Sequence, residues 1–270
     1  MVRKCPICSY NNEQALPLGY SIEPWLLKKC RNCGFVYLEN PVLYGELIEK
    51  YAWEKTSKIE SCNRKNNEPV IYFLSSLVKK FKTRFSKRDK TLLLIKKYLN
   101  SGLVCDIGCG EGALLIQAIN LIKANIIPIG IEVSKVMSIK ASERFMEFSG
   151  YAIHDNAIEG LNKIEKASVS GIIMSSFLEH EVNPKQVLLK SYEVLKSGGH
   201  VIIKVPNYGC VNRIFRGSKW CGFRFPDHVN YFTPKSLINI VEACNFTIGR
   251  FNLVDHFPTS DSMYLVIKKT

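Results

Sequence analysis

Val104-Cys105-Asp106-Ile107-Gly108-Cys109-Gly110-Glu111-Gly112 is the stretch that decides how this chain folds. Short apolar residues run into an acid, then into alternate glycines, then into Ala113, Leu114, Leu115 and Ala118 at helical spacing. That order spells strand, tight loop, helix. The glycines let the backbone pass close beneath a ligand that a Cβ would hold off. The helix that follows begins with N–H groups that have no intrahelical partner and point at the same place. Asp106, closing the strand, puts a carboxylate where a cationic or hydroxyl-bearing ligand would sit.

The next strand sharpens the reading. Ile126 to Ile131 form an apolar run ending in Glu132, about 20 residues beyond the loop, where doubly wound sheets place an acid that accepts hydrogen bonds from ribose hydroxyls. A dinucleotide loop keeps Gly-x-Gly-x-x-Gly for its pyrophosphate. Here the spacing is Gly108-x-Gly110-x-Gly112, behind an acid that a pyrophosphate would repel. S-adenosylmethionine carries a sulfonium and an ammonium and no phosphate, so Asp106 suits it. Asp106-Ile-Gly-Cys-Gly-Glu-Gly112 resembles the first motif of class I S-adenosylmethionine-dependent methyltransferases. The resemblance implies cofactor contacts from Asp106, Gly108, Gly110 and Glu132, with Asp155 and Asn156 where the family often meets the adenine.

Beyond Glu132 the α/β alternation continues. The pattern predicts a helix over 135–148, strands over 151–154 and 169–174, a helix over 186–195 opened by Pro184, and a strand over 200–205. The runs 246–254 and 263–268 predict a closing hairpin. Strands joined by helices imply a doubly wound, mostly parallel sheet with ligands at the strand carboxyl ends. The methyltransferase resemblance makes that sheet seven-stranded. It extends over residues 90–270 through two further segments. Phe177-Leu178-Glu179-His180-Glu181-Val182-Asn183-Pro184 is similar to a segment of the branch that includes ubiquinone-type O-methyltransferases and many sugar methyltransferases. His228-Val229-Asn230-Tyr231-Phe232-Thr233-Pro234 resembles a stretch of one family in that branch, some of whose members carry a leading four-cysteine knuckle and act in saccharide and natural-product pathways. Asp227 stands where that family commonly has arginine.

At the amino end, Cys5-Pro6-Ile7-Cys8 and Cys30-Arg31-Asn32-Cys33 are two Cys-x-x-Cys knuckles, whose thiolates complete a tetrahedral structural zinc site. Phe35 to Leu38 reads as a short strand closing this ribbon, and Gly34 eases the second knuckle's turn. The organisation that follows is a zinc-ribbon module over 1–41, a helical cap or linker over 42–100, and the S-adenosylmethionine domain over 101–270. In methyltransferases of this class the helices before the first strand often cover the substrate side.

The chain has 270 residues, 46% of them apolar, with ten cysteines and a formal net charge of +13. It contains no apolar run of membrane-spanning length and no secretory-type apolar core at its start. With four cysteines in metal-type pairs, a reduced, cytoplasmic compartment is the expectation. Nine basic residues between Lys79 and Lys97 face the single acid Asp89. Such a run attracts phosphate-bearing partners (nucleic acid, anionic lipid at a membrane surface, or a nucleotide-linked substrate) or simply forms a solvated helix face.

Methyl transfer from a sulfonium asks mainly that donor and nucleophile be close and aligned. A hydroxyl acceptor gains from a general base, and histidine's unperturbed pKa near 6.5 suits that work. His180, just past the fourth strand, is the first candidate, with Glu179 orienting it. His228 is a second base or substrate contact. The resemblance to ubiquinone-type enzymes leaves Glu179 and His180 open as ligands of a divalent metal, and a plain turn-capping role also fits. The loop 208–225 interleaves Tyr208, Phe215, Trp220, Phe223 and Phe225 with Arg213, Arg216, Lys219 and Arg224, a composition for stacking on a sugar or base, or for a lid packed on the core. The function these readings favour is methylation of a hydroxyl or carbon of a sugar in a nucleotide- or lipid-linked precursor. The alternative is an RNA methyltransferase that binds RNA through the zinc module and basic run.

Overall fold

The computed structural model describes residues 3–42 and 90–270. A small hairpin comes first, β1 (Leu27–Lys29) and β2 (Val36–Leu38). Then follow α1 (Lys90–Tyr98), β3 (Ser101–Ile107), α2 (Ala113–Ile122), β4 (Asn125–Glu132), α3 (Lys135–Met146), β5 (Tyr151–His154), α4 (Ala157–Asn162) and β6 (Val169–Ser175). The chain continues through α5 (Pro184–Val194), β7 (Leu195–Pro206), α6 (Val211–Arg216), β8 (Asn230–Tyr231), α7 (Pro234–Glu242), β9 (Thr247–Arg250) and β10 (Ser262–Lys268). The helices expected between 42 and 89, and the basic run from Lys79 to Arg88, lie outside the described residues.

The main sheet has seven strands in the order β5-β4-β3-β6-β7-β10-β9, the doubly wound α/β sheet that the sequence predicts. Its first five strands are parallel, and β10 runs antiparallel to both β7 and β9. Successive core residues alternate between faces, as the two-residue repeat of a strand requires. Cys105, Ile172, Met174, Val201 and Ile203 enter one apolar core with α4, α5 and α7. Val104, Ile173 and Ile202 enter the other with α1, α2 and α3. Both faces are therefore covered, which is why these strands read as nearly continuous apolar runs.

The reversal of strand order falls between β3 and its two parallel neighbours. β4 lies on one side and β6 on the other, with Asp106 opposite Gly130 and Ile173. In open α/β sheets that crevice at the carboxyl ends is where ligands bind. The turn Lys196–Gly199 is an excursion inside β7, since Val169 pairs with Leu195 and Gly171 already pairs with His200. α1 is fastened at its start by Lys90, which pairs with Asp255 at 2.9 Å.

The second sheet, β1-β2-β8, joins two distant parts of the chain. β2 pairs with β8, Val36 opposite Tyr231 and Tyr37 opposite Asn230. Leu27, Val36, Tyr208, Cys210, Trp220 and Tyr231 form one buried cluster across this joint, with Tyr20, Phe223 and Phe225 packed on it. Trp220 is 1% exposed, and its indole N–H donates to Asp261 at 2.8 Å. Most aromatics of the 208–225 loop are thus interior packing between the four-cysteine module and the main sheet. Of the stacking surface that their composition offers in the sequence, Phe215 is 85% exposed and Phe223 and Phe225 are half-buried.

Gly112 turns the chain into α2 at φ +78, and a Cβ there would meet the Phe145 ring at 2.6 Å. Gly112→Ala should lower stability by about 1–3 kcal/mol through strain and overpacking, read as a lower urea midpoint with an unchanged slope.

Candidate active site

The glycine-loop side of the crevice is built where β3 and β4 end. Gly108 donates its N–H to the Ile131 carbonyl at 2.8 Å, so the loop is laced to β4 from its first residue. Glu132 then holds the loop with both carboxylate oxygens. Gly110 N–H donates to Oε2 at 2.9 Å and Ser134 N–H to Oε1 at 2.8 Å. Gly108, Gly110 and Gly112 all take positive φ. A Cβ built on Gly110 would meet nothing within 4 Å, so the backbone there borders open space. Asp106 is 3% exposed. Burial, then the neighbouring negative charge of Glu132, pushes its carboxyl up to about 8. A cation arriving at this acid would relieve both causes.

Asp155 and Asn156 stand at the end of β5, and both side chains have local work. Asp155 pairs with Lys163 at 2.7 Å, which holds its carboxyl below the ordinary range. The Asn156 side-chain oxygen caps α4 by accepting Glu159 N–H at 3.0 Å. What is left for a ligand at Asn156 is the side-chain amide NH2.

The other side of the crevice starts at Ser176, which takes φ +58 and turns the chain back directly after β6. Phe177 then lies against the cofactor loop, so that a Cβ on Gly108 would come within 2.9 Å of its ring. Beyond this wall come Glu179, His180 and, from the returning long loop, His228. Their ligand atoms lie within 4.8 Å of one another. The two imidazoles meet edge to face with centroids 4.7 Å apart. His180 Nδ1 is bonded to the Asp227 carbonyl at 2.9 Å and His228 Nδ1 to the Gly222 carbonyl at 2.8 Å. A carbonyl only accepts, so each Nδ1 carries the proton and each Nε2 keeps its lone pair. The sequence leads one to expect Glu179 as the group that orients His180; the group that does so is the Asp227 carbonyl.

Burial, with the Arg224 guanidinium second, pulls His180 down to about 4. Burial, then the charges of His180 and Arg224, keeps His228 well below its usual value. Both rings are neutral at physiological pH. Glu179 is 2% exposed, its Oε2 has no partner, and burial pushes its carboxyl up to about 8. Asp227, the residue that departs from the family's arginine, forms a 3.0 Å pair with Arg224.

At the amino end the four thiols of Cys5, Cys8, Cys30 and Cys33 cluster within 4.8 Å. Cys5 and Cys33 are 3.5 Å apart and Cys8 and Cys30 3.6 Å, close to the sulfur–sulfur edge of about 3.8 Å that Zn–S bonds of 2.3 Å give in a tetrahedron. The knuckles repeat one geometry. Ser9 N–H donates to the Cys5 carbonyl at 2.8 Å and Gly34 N–H to the Cys30 carbonyl at 2.9 Å, with φ +59 and +74. No disulfide joins the described cysteines, so this set can hold a metal.

A seven-stranded doubly wound sheet with an acid and a glycine loop at its switch point defines the Rossmann-like methyltransferase class. A family model described as a methyltransferase domain matches residues 72–249, and the chain belongs to that family as an S-adenosylmethionine-dependent methyltransferase. Solved structures agree in fold. A SAM-dependent methyltransferase from Archaeoglobus fulgidus is 20% identical over 73% of this chain and 99% of its own, with a TM-score of 0.51. A putative S-adenosylmethionine-dependent methyltransferase from Listeria monocytogenes is 17% identical over 63% and 92%, with a TM-score of 0.50. A third, from Mesorhizobium loti, is 13% identical over 66% and 96%, with a TM-score of 0.51. No curated protein matches. Among the described residues no helix is long and apolar enough to cross a membrane.

Asp106 supplies a test by pH. Its folded pKa, about 8, lies above the unfolded value, so the ligand-free fold loses stability as pH rises through the window between them. Asp106→Asn removes that loss. The variant's melting temperature should gain on the wild type from pH 5 to pH 8, by about 1.4 kcal/mol of stability per pH unit at most. Parallel melting curves across that range would sink the assignment.

Proposed function

We propose that the acceptor is a hydroxyl of a sugar in a nucleotide- or lipid-linked precursor, a carbon acceptor being the lesser variant. The observation that carries the hydroxyl reading is the pair of neutral imidazoles, each with Nδ1 fixed by a carbonyl and Nε2 open, across the Phe177 wall from the glycine loop. In this reading the acceptor oxygen attacks the sulfonium methyl carbon, the carbon–sulfur bond breaks to leave S-adenosylhomocysteine, and the hydroxyl proton passes to an imidazole Nε2. His180 is the first candidate base and His228 its neighbour. Asp106 faces the positive donor, Glu132 keeps the loop in place beside the ribose, and Gly110 admits the ligand close to the backbone. The saccharide itself is supported by the resemblance of the 177–184 and 228–234 segments to sugar-modifying relatives.

One observation favours a second reading of the same groups. A buried carboxylate oxygen without a partner beside two open imidazole nitrogens is a donor set for a divalent cation. A metal there would lower the pKa of a bound hydroxyl, the work a base would otherwise do. The loop aromatics packed against the four-cysteine module favour neither a stacked sugar nor a stacked base, and most of the basic run on which the RNA alternative draws lies outside the described residues.

The four-cysteine set fits a structural zinc, closed by protein thiolates alone. The protein should carry about one zinc per chain by elemental analysis, and Cys30→Ser should abolish it. Retention of zinc by that variant would place the metal elsewhere.

The substrate reading is tested with methyl-labelled S-adenosylmethionine and cell extract divided into nucleotide-sugar, lipid-linked and RNA fractions. Label is expected in a saccharide fraction, with transfer falling about 100-fold or more in His180→Ala. Label confined to RNA, or a wild-type rate in His180→Ala, would reject the corresponding part of the proposal.

A further inference from the structure

Arg3 is the least expected residue of the acceptor side. It is 9% exposed, and among the described residues no carboxylate lies within ion-pair distance of it. An unpaired buried cation is costly, so its hydrogen bonds matter. Its guanidinium Nη2 donates to the Val229 carbonyl at 2.9 Å and to the Asn230 side-chain oxygen at 2.6 Å. Nη1 donates to the Val182 carbonyl at 3.1 Å. The Tyr37 ring lies against it, 5.4 Å from centroid to guanidinium carbon.

Asn230 passes this constraint on. With its oxygen taken by Arg3, its amide NH2 points the other way and donates to the Leu178 carbonyl at 2.7 Å and the Glu181 carbonyl at 2.6 Å. Between those bonds, the N–H groups of Val229 and Asn230 both donate to the Glu179 carbonyl, at 2.8 and 3.0 Å. Leu38 of β2 donates its N–H to the Val229 carbonyl at 2.9 Å. Arg3 and Asn230 therefore hold the segment carrying Glu179 and His180 in register with the segment carrying His228. Only a planar fork with several donors spans three acceptors in this way.

We propose that Arg3, carried by the four-cysteine module, is a positioning residue of the acceptor site, acting through Asn230 to fix His228 against Glu179 and His180. The module's role is then to bring this clamp to the catalytic sheet. The proposal rests on the reading of those three residues as acceptor-side groups.

The test uses the full chain as wild type, Arg3→Ala, Arg3→Lys and Asn230→Ala. The last removes the same bonds from the catalytic side and leaves the four-cysteine module intact should loss of Arg3 prevent folding. Hydrogen exchange of the Val229 and Asn230 amides should quicken on the order of ten-fold or more in each variant. S-adenosylhomocysteine affinity by calorimetry and exchange in β3 and β7 should stay as in the wild type. With the labelled fraction found above, kcat should fall while KM for S-adenosylmethionine holds, and lysine should not restore it. Unchanged exchange at Val229 and Asn230, with loosening confined to Cys30 and Gly34, would overturn the proposal. Loosened amides with an undiminished kcat would overturn it equally. A wild-type rate in His180→Ala is a separate failure, of the acceptor-site reading itself, and the exchange data do not depend on it.

Discussion

The cluster of Glu179, His180 and His228 hangs on one peptide carbonyl. Glu179 accepts two consecutive N–H groups from the far end of a long loop, and this is what turns three residues distant in sequence into one cluster. The turn after β6 supplies Glu179 and His180, while the loop entering β8 supplies His228. Neither segment is regular enough to hold itself. Each is short, and each depends on the other's backbone and on the hairpin that pairs with β8. Packing follows from the same joint, because Tyr208, Trp220 and Phe223 fill the space that the β2–β8 pairing encloses.

The two halves of the crevice share an electrostatic character. Asp106 and Glu179 are both buried acids raised to about 8, one on each side of the Phe177 wall. Burial dominates in both, so each is a place where positive charge would be welcomed and where the empty protein prefers a proton. The histidines show the complement, neutral because burial and Arg224 disfavour their charged forms. Asp106, Glu179 and the two histidines therefore add little net charge, and the charges that act on them are those of Glu132 and Arg224.

Much of this is legible in the residues. The glycine loop, Glu132 and the two cysteine pairs announce themselves because their chemistry depends on fixed local spacing, and the apolar runs of β3, β4, β6 and β7 are strong because both faces are buried. What the sequence hides is non-local. β8 is two residues long and has no periodicity to detect. Aromatics interleaved with arginines have the same composition whether they stack on a ligand or fill an interface, and here most fill an interface. Glu179 reads as the natural partner of His180 because it is adjacent, yet a backbone carbonyl, which no sequence pattern marks, takes that place. Arg3 looks like an ordinary terminal cation. Ser9 adopts a backbone shape that Gly34 advertises and serine does not.

The pairing of β2 with β8 also orders events on the ribosome. The hairpin is made before every described strand of the main sheet, but its third strand is made only after β7, with β9 and β10 alone of that sheet still to follow. Throughout that interval one edge of the hairpin has no strand partner among the described residues, the condition under which strands recruit neighbouring chains. A two-stranded hairpin is marginal by itself, so the four clustered thiols are what the described part of the nascent chain offers to keep it in shape. Translation speed and the state of the four thiols therefore meet at a single edge of three residues.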